Sequence, residues 1–390
     1  MWVMLFGTIV LQITGYRPLS WHKSYLASRL QERSRGEGES EIDERDEYYM
    51  RFINVARLYS SSSSSPSEIL SRLQQAKVVV IGLGGVGSWV VEALARSGIG
   101  HLILIDADDI CVSNVNRQLP ATSSTVGKLK GEVLKSRVLD INPTANVTFV
   151  SDFLRPSNLP SFFASCDSIH GSTPFKSSTS NKTRHNSISY VVDCADGVAD
   201  KAAIVDYCVE HQIPIVVSGG AGGLTDPTLI RVSDMARSIG DTLVMRVRKK
   251  LRRDYGYPAG EQTNAAGRKI DKKWGVQVVH SLPMGGVRQV SSGKEERGAL
   301  VGRKCDVMYG NACFSTGTVG FVLASVAVNA IASGSSVLPR TNLRGAKAGT
   351  RDEFLQKNAE LGSDSIKSSA AGLDVSIDLE NGDDHQVSCQ

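Results

Sequence analysis

The chain has 390 residues, of which 41% are hydrophobic and 22% charged, and a formal net charge of +4. This composition excludes a wholly disordered or fibrous chain and allows one large core with appendages, while the charge is too slight for a globally basic polyanion binder. The seven cysteines, Cys111, Cys166, Cys194, Cys208, Cys305, Cys313 and Cys389, are scattered and never spaced C-x-x-C. That argues against a disulfide framework and against a closed zinc site, and suits a reducing compartment.

Residues 1–13, MWVMLFGTIVLQI, are apolar and lead into a basic stretch without an acid before Glu32. The run is shorter than the roughly 20 residues of a spanning helix and lacks the leading positive charge of a secretory signal. Residues 1–46 are therefore read as an organelle-targeting, weakly membrane-anchoring or disordered leader, with a cytoplasmic location as the alternative. A short charged helix is expected over Glu41 to Tyr59, and the serine run from Ser60 to Ser67 is expected to act as a polar hinge.

From Lys77 onward the apolar pattern alternates between strand and helix. Strand KVVVI (77–81) precedes a helix over 86–97, and strand HLILI (101–105) precedes a helix near 128–142. Strands follow at 146–150, 190–194 and 213–218, the last two separated by a helix over 201–211. This order predicts an α/β, Rossmann-like, mostly parallel sheet with helices on both faces, a single catalytic domain over 47–335. Residues 166–189 carry no period and read as an inserted surface loop. A strand in DPTLIRVSD, a basic helix over 242–255 and a Gly-, Pro- and Lys-rich loop come next. The apolar segment 314–333 carries Ser, Thr, Gly and Asn, which suits a buried helix. Residues 336–390 are too polar and aperiodic to offset their ordering entropy and are expected to be a disordered tail.

Gly82, Gly84 and Gly87 form G-x-G-x-x-G between a strand and a helix, with Gly85 in the same loop. Such a loop lets backbone N–H groups approach phosphate and lets helix pack close to strand. Asp106 ends the next strand, where a carboxylate accepts from ribose hydroxyls. These features alone do not separate NAD from ATP. Asp108, Asn114, Arg117, Gln118 and Lys130 follow, and cations there have a use if a triphosphate is split, because charge develops on the leaving pyrophosphate. Asp196, after a later strand, is a candidate Mg²⁺ ligand.

G-x-G-x-x-G, D-x-D, S-N-x-x-R-Q, V-G-x-x-K and D-x-x-D, in that order, resemble the ubiquitin-activating-like adenylyltransferases, which include activators of sulfur-carrier proteins. The resemblance implies that Asp106 binds ribose, that Asn114, Arg117 and Lys130 bind phosphates, and that Asp196 holds Mg²⁺. It further implies a homodimer in which an arginine before the first strand, Arg57 in preference to Arg51, reaches the partner's ATP site. GVGSWVVEALARSGIG, DDICVSNVNRQ, GGAGGLTDPTLIRVSDMARSIGD and LRRDYG resemble one branch in particular, the tRNA threonylcarbamoyladenosine dehydratases. Its members use ATP to activate a carboxylate on modified tRNA so that it cyclises, and eukaryotic members are associated with the mitochondrial outer membrane. Cys305 matches a cysteine of the bacterial members, and a buried small hydrophobe is an equal reading of it.

Arg246, Lys249, Lys250 and Arg253 fall at helical spacing on one face, which suits tRNA phosphates as well as plain solvation. VVHSLP (278–283) lacks the glutamate of the bacterial V-x-S-x-E segment. Two other readings stay open: an activator of a sulfur-carrier or ubiquitin-like protein, with a sulfur-transfer partner, and a non-catalytic nucleotide- or tRNA-binding scaffold.

Overall fold

The structure is a computed structural model that describes residues 44–168, 188–259, 261–263, 269–271, 273–282, 310–335 and 339–340. The expectations for the leader before residue 44, the body of the insert, Cys305 and the tail beyond residue 340 lie outside the described residues. The chain divides into two compact units, Met1–Glu47 and Tyr48–Gln390.

Helix α1 (Glu44–Tyr59) is followed by α2 (Pro66–Gln75), β1 (Lys77–Ile81), α3 (Gly87–Arg96) and β2 (His101–Ile105). Then come α4 (Lys130–Ile141), β3 (Asn146–Val150), α5 (Leu159–Ser168), β4 (Tyr190–Asp193), α6 (Val198–Glu210) and β5 (Ile215–Ser218). The chain continues through β6 (Ile230–Asp234), α7 (Thr242–Asp254), the hairpin β7 (Glu261–Thr263) and β8 (Lys269–Asp271), β9 (Gln277–Ser281) and α8 (Cys313–Ser333).

Seven strands form one sheet in the order β3-β2-β1-β4-β5-β9-β6, parallel except where β6 runs against β9. Alternate residues of a strand face opposite sides, and in β1 both sides are covered. Val78 and Val80 join Phe52, Leu73, Leu94 and Leu323 on one face, and Val79 and Ile81 join Phe163, Ile204, Val247 and Trp274 on the other. By length and composition α8 is apolar enough to cross a membrane. It is instead packed on α3 and the sheet, burying Val319, Leu323, Ala327 and Ile331, with Phe321 edge-on to Trp89 at 5.8 Å between ring centroids.

Three expectations are corrected. The serine run is not only a hinge, because Ser65 caps α2: its side chain accepts from Glu68 N, and Glu68 accepts from Ser65 N at 2.8 Å. With Pro66 in the first turn this reciprocal capping fixes the helix start. Ser65→Ala is expected to cost about 1 kcal/mol, read as a lower urea midpoint with unchanged slope. The aperiodic reading of 166–189 is wrong at its start, which is the last turn of α5. The loop between the basic helix and the closing helix contains a β7–β8 hairpin and β9, which lies inside the sheet between β5 and β6.

Candidate nucleotide-binding site

A cleft of about 630 Å³ opens beyond the carboxyl ends of β1, β2, β4 and β5. In open α/β sheets this end is where ligands bind, next to the point at which the strand order reverses. The first turn that shapes it depends on two glycines. Gly82 has φ +82°, a left-handed conformation, and its N–H donates to Ile105 O at 2.8 Å. Gly87 starts α3 so close to that turn that a Cβ would collide with the Gly82 carbonyl oxygen. Gly82, Gly84 and Gly85 line the cleft, while Gly87 lies behind them as the packing glycine.

The second wall follows β2. Asp106 is buried, and its carboxylate accepts from Leu83 N at 2.6 Å and Asp108 N at 2.8 Å. Burial pushes its pKa up, opposed by the nearby Lys130 charge and the two backbone donors. Since a carboxylate has about four acceptor positions, it keeps capacity for ribose hydroxyls. Lys130, the first residue of α4, is itself buried and donates to Asp108 Oδ2 at 2.8 Å. The loops carrying the two residues are joined by hydrogen bonds Ile110 N to Lys128 O and Lys130 N to Asp108 O.

Between them lies a 3₁₀ turn, Val112–Asn114. Asn114 Oδ1 accepts from Cys111 N at 3.1 Å, which shapes the turn. Arg117 donates from Nη1 to Ser113 O at 2.8 Å and lays its stem over Gly85, while its carbonyl accepts from Trp89 Nε1 at 3.0 Å. Gln118 is buried at the cleft, its Oε1 without a hydrogen-bond partner.

The third wall follows β4. Asp196 is exposed at the cleft, and behind it Asp193 forms a fully buried ion pair with Lys201 of α6, Oδ2 to Nζ 3.1 Å. Asp193 Oδ1 accepts from Ala195 N at 3.0 Å, so the pair anchors the segment leading to Asp196. Burial pushes the Asp193 pKa up, and the Lys201 charge opposes it. Asp200 also faces the cleft, its pKa raised by burial against the pull of Arg155.

The cleft therefore gathers Gly82, Gly84, Gly85, Asp106, Asp108, Asn114, Arg117, Gln118, Lys130 and Asp196. Other expected site residues lie elsewhere. Arg57 is on α1, exposed and hydrogen-bonded to Asn54 Oδ1 at 3.1 Å, and Arg51 donates to Ile141 O. Arg246, Lys249, Lys250 and Arg253 are on α7, where Lys250 and Arg253 both pair with Asp254. The Arg253 hydrogen bond, followed by Lys250, holds the Asp254 carboxyl down to about 2. Sequence reasoning missed Phe153 and Arg155 beyond β3, Asp200, and the Asp193–Lys201 pair. The end of strand β3 was a usable signal for the first two, since the cleft runs along strand ends.

A model of the ThiF family matches residues 56–332. The chain belongs to the ThiF family. Two curated relatives named tRNA threonylcarbamoyladenosine dehydratase align with it. The Haemophilus influenzae protein is 39% identical over 72% of this chain and 92% of its own length. The Escherichia coli protein is 41% identical over 54% of this chain and 69% of its own. A crystal structure of the E. coli tRNA N6-threonylcarbamoyladenosine dehydratase, TcdA, in complex with ATP superposes with a TM-score of 0.55 at 36% identity, covering 74% of this chain and 96% of that one. The mostly parallel seven-stranded sheet is thus a ThiF-family fold, and adenylate-forming chemistry is the family setting of the cleft.

Proposed function

We propose that the chain is an ATP-dependent tRNA threonylcarbamoyladenosine dehydratase. The observation that carries the reading is the cleft in which Arg117 and the buried Lys130 face a glycine turn and a ribose-type carboxylate, Asp106. The relatives with that name, one of them aligned over 92% of its length, support the substrate.

A carboxylate is a poor acyl donor because oxide is not expelled from it at neutral pH. In the proposed reaction a carboxylate oxygen of threonylcarbamoyladenosine attacks the α-phosphorus of ATP. The bond from that phosphorus to pyrophosphate breaks, and pyrophosphate leaves with the electron pair. Arg117 and Lys130 stabilise the charge that moves onto the leaving group. The adjacent carbamoyl or side-chain group then attacks the acyl carbon, loses its proton and expels AMP. Holding both groups on one nucleoside supplies an effective molarity worth roughly 7–11 kcal/mol in the best cases.

Asp196 has the hard-oxygen donor that Mg²⁺ needs. Among the described residues no group of three or more His, Cys, Asp or Glu converges, so the ion would be shared between Asp196 and phosphate oxygens, the usual arrangement for magnesium. There it would neutralise triphosphate charge. The exposed Arg246 and Lys249 of α7 are the part of the basic face proposed for tRNA phosphates.

The test is nucleoside mass spectrometry after incubating the protein with ATP, Mg²⁺ and tRNA carrying threonylcarbamoyladenosine. The expected result is loss of one water from that nucleoside, with AMP and pyrophosphate released in step. Water loss without ATP consumption, or ATP consumption without water loss, overturns the reading. Pyrophosphate exchange driven instead by a protein ending in Gly-Gly moves the chain to the carrier activators.

The proposal includes a homodimer with Arg57 acting in the partner's cleft. Phe314 and Phe321, 54% and 48% exposed, lie on the outer stripe of α8, and Tyr59 Oη, next to the 77% exposed Leu58, donates to Asn329 Oδ1 at 2.7 Å at the far end of that stripe. Arg57 therefore adjoins an apolar surface suited to a second copy. Mixing inactive Arg57→Ala with inactive Lys130→Ala protein is expected to restore about a quarter of wild-type activity, because half of the dimers then carry one intact site of two. No recovery after subunit exchange contradicts the arrangement. Residues 1–13 are proposed as a weak attachment to an organelle membrane, with fractionation of leader-deleted protein as the test.

A further inference from the structure

We infer that Asp241 is a positioning residue joining helix α7 to the glycine loop on the acyl side of the cleft, so that tRNA docking on α7 sets that loop for reaction. This inference rests on the tRNA-dependent reading above. Asp241 is buried and caps α7, its Oδ1 accepting from Val244 N at 2.9 Å. Its other oxygen, Oδ2, accepts from Gly220 N at 2.9 Å. Gly219 lies against the same carboxylate, so that a Cβ there would collide with Oδ2.

Gly219 to Gly222 line the cleft, and Leu243, in the first turn of α7, lines it as well. The loop is held at its ends by backbone hydrogen bonds, Gly219 N to Val279 O at 2.7 Å and Gly223 N to Gly310 O at 2.8 Å. Between those anchors, Gly220 N is held by Asp241. Helix α7 packs on the core through Val244, Val247 and Leu251, and Arg248 donates to Ser238 O at 2.6 Å, so a load on its exposed face is borne by the helix as one piece. Its exposed Arg246 and Lys249 stand on the same rigid rod as the cap, and Arg253 lies about 17 Å along the axis from Thr242 at 1.5 Å per residue. A shift of that rod under bound phosphates is carried to Gly220 by one carboxylate.

The two oxygens have separable duties. Asparagine caps helices as well as aspartate does. In Asp241→Asn one of the two acceptor positions becomes an NH₂ donor, and with the amide oxygen kept on Val244 N, as in an asparagine cap, the Gly220 N–H loses its acceptor. The expected result is a thermal midpoint lowered only by the loss of one hydrogen bond, ATP affinity and KM for tRNA within threefold of wild type, and a kcat for nucleoside conversion lowered about 10- to 100-fold, as for a small misplacement of reacting groups. A merely structural role would instead lower the thermal midpoint and leave kcat per folded molecule within twofold of wild type.

A kcat within twofold of wild type in a folded Asp241→Asn protein overturns the proposal. If that variant does not fold, hydrogen–deuterium exchange on the wild-type protein decides. Adding modified tRNA is expected to slow exchange in peptides over 217–223 and 241–247 together, and protection of 241–247 alone overturns the coupling. Wild-type protein that does not convert the nucleoside at all defeats the functional reading and the inference with it, whereas active wild type with an equally active variant defeats only the inference.

Discussion

Lys130→Ala is expected to lower tRNA-dependent AMP release by about 10²- to 10³-fold, the loss seen when one preorganised charge-stabilising donor is removed. Lys130 is buried, and its ammonium sits on Asp108 at 2.8 Å while opposing the burial-raised pKa of Asp106. Its removal takes away a cation facing the phosphates and leaves two carboxylates to repel them. Both ATP affinity and kcat should therefore fall, and added Mg²⁺ should not restore the rate. Steady-state AMP release with an ATP-binding titration checks this, and a rate within threefold of wild type contradicts it.

Lys201→Ala is expected to destabilise the protein by about 3–5 kcal/mol, since it leaves Asp193 as a buried charge without its counterion. The pH dependence follows from the direction of the Asp193 shift. A carboxyl with a folded-state pKa above its unfolded value binds its proton more tightly when folded, so its contribution to stability is full at low pH and is lost as pH rises through the folded pKa. Without Lys201 only the Ala195 N–H bond still opposes that upward shift, so the deficit should shrink toward pH 4 and grow toward pH 8. Urea midpoints across that range measure it. The double variant Asp193→Asn/Lys201→Met removes both charges and is expected to recover most of the loss.

Part of the site was legible because its residues follow apolar strands, and the rest, Asn114, Arg117, Gln118 and Lys130, because of their motif order. The runs at 77–81, 101–105 and 190–193 could be recognised from their own composition, and the groups just past them, Gly82, Asp106 and Asp196, all reach the cleft because parallel strands end together. What stayed hidden depended on distant partners. Strand β9, which runs into the segment VVHSLP, pairs with β5 and β6, both remote in sequence, so its place inside the sheet is not marked locally. Lys201 reads as a surface helix lysine until Asp193 is placed beside it. Phe153 and Arg155, by contrast, lie just past β3, a strand whose end was legible, but in irregular chain with no motif of its own. Helix α2 was a different failure, since its Ser65-x-x-Glu68 capping signal was local and was masked by the surrounding serines.

The chain on either side of residues 169–187 meets at one residue. Cys166 O accepts from Lys77 Nζ at 3.0 Å, and Ser189 exchanges hydrogen bonds with the Lys77 main chain. Lys77 begins β1, so both junctions sit at the end of the sheet remote from the phosphates, about 16 Å away for five residues at 3.3 Å each. A change of length between residues 169 and 187 therefore enters the fold far from the cleft. For the same reason an affinity handle or fluorophore carried between residues 169 and 187 is a practical way to immobilise or track the working enzyme.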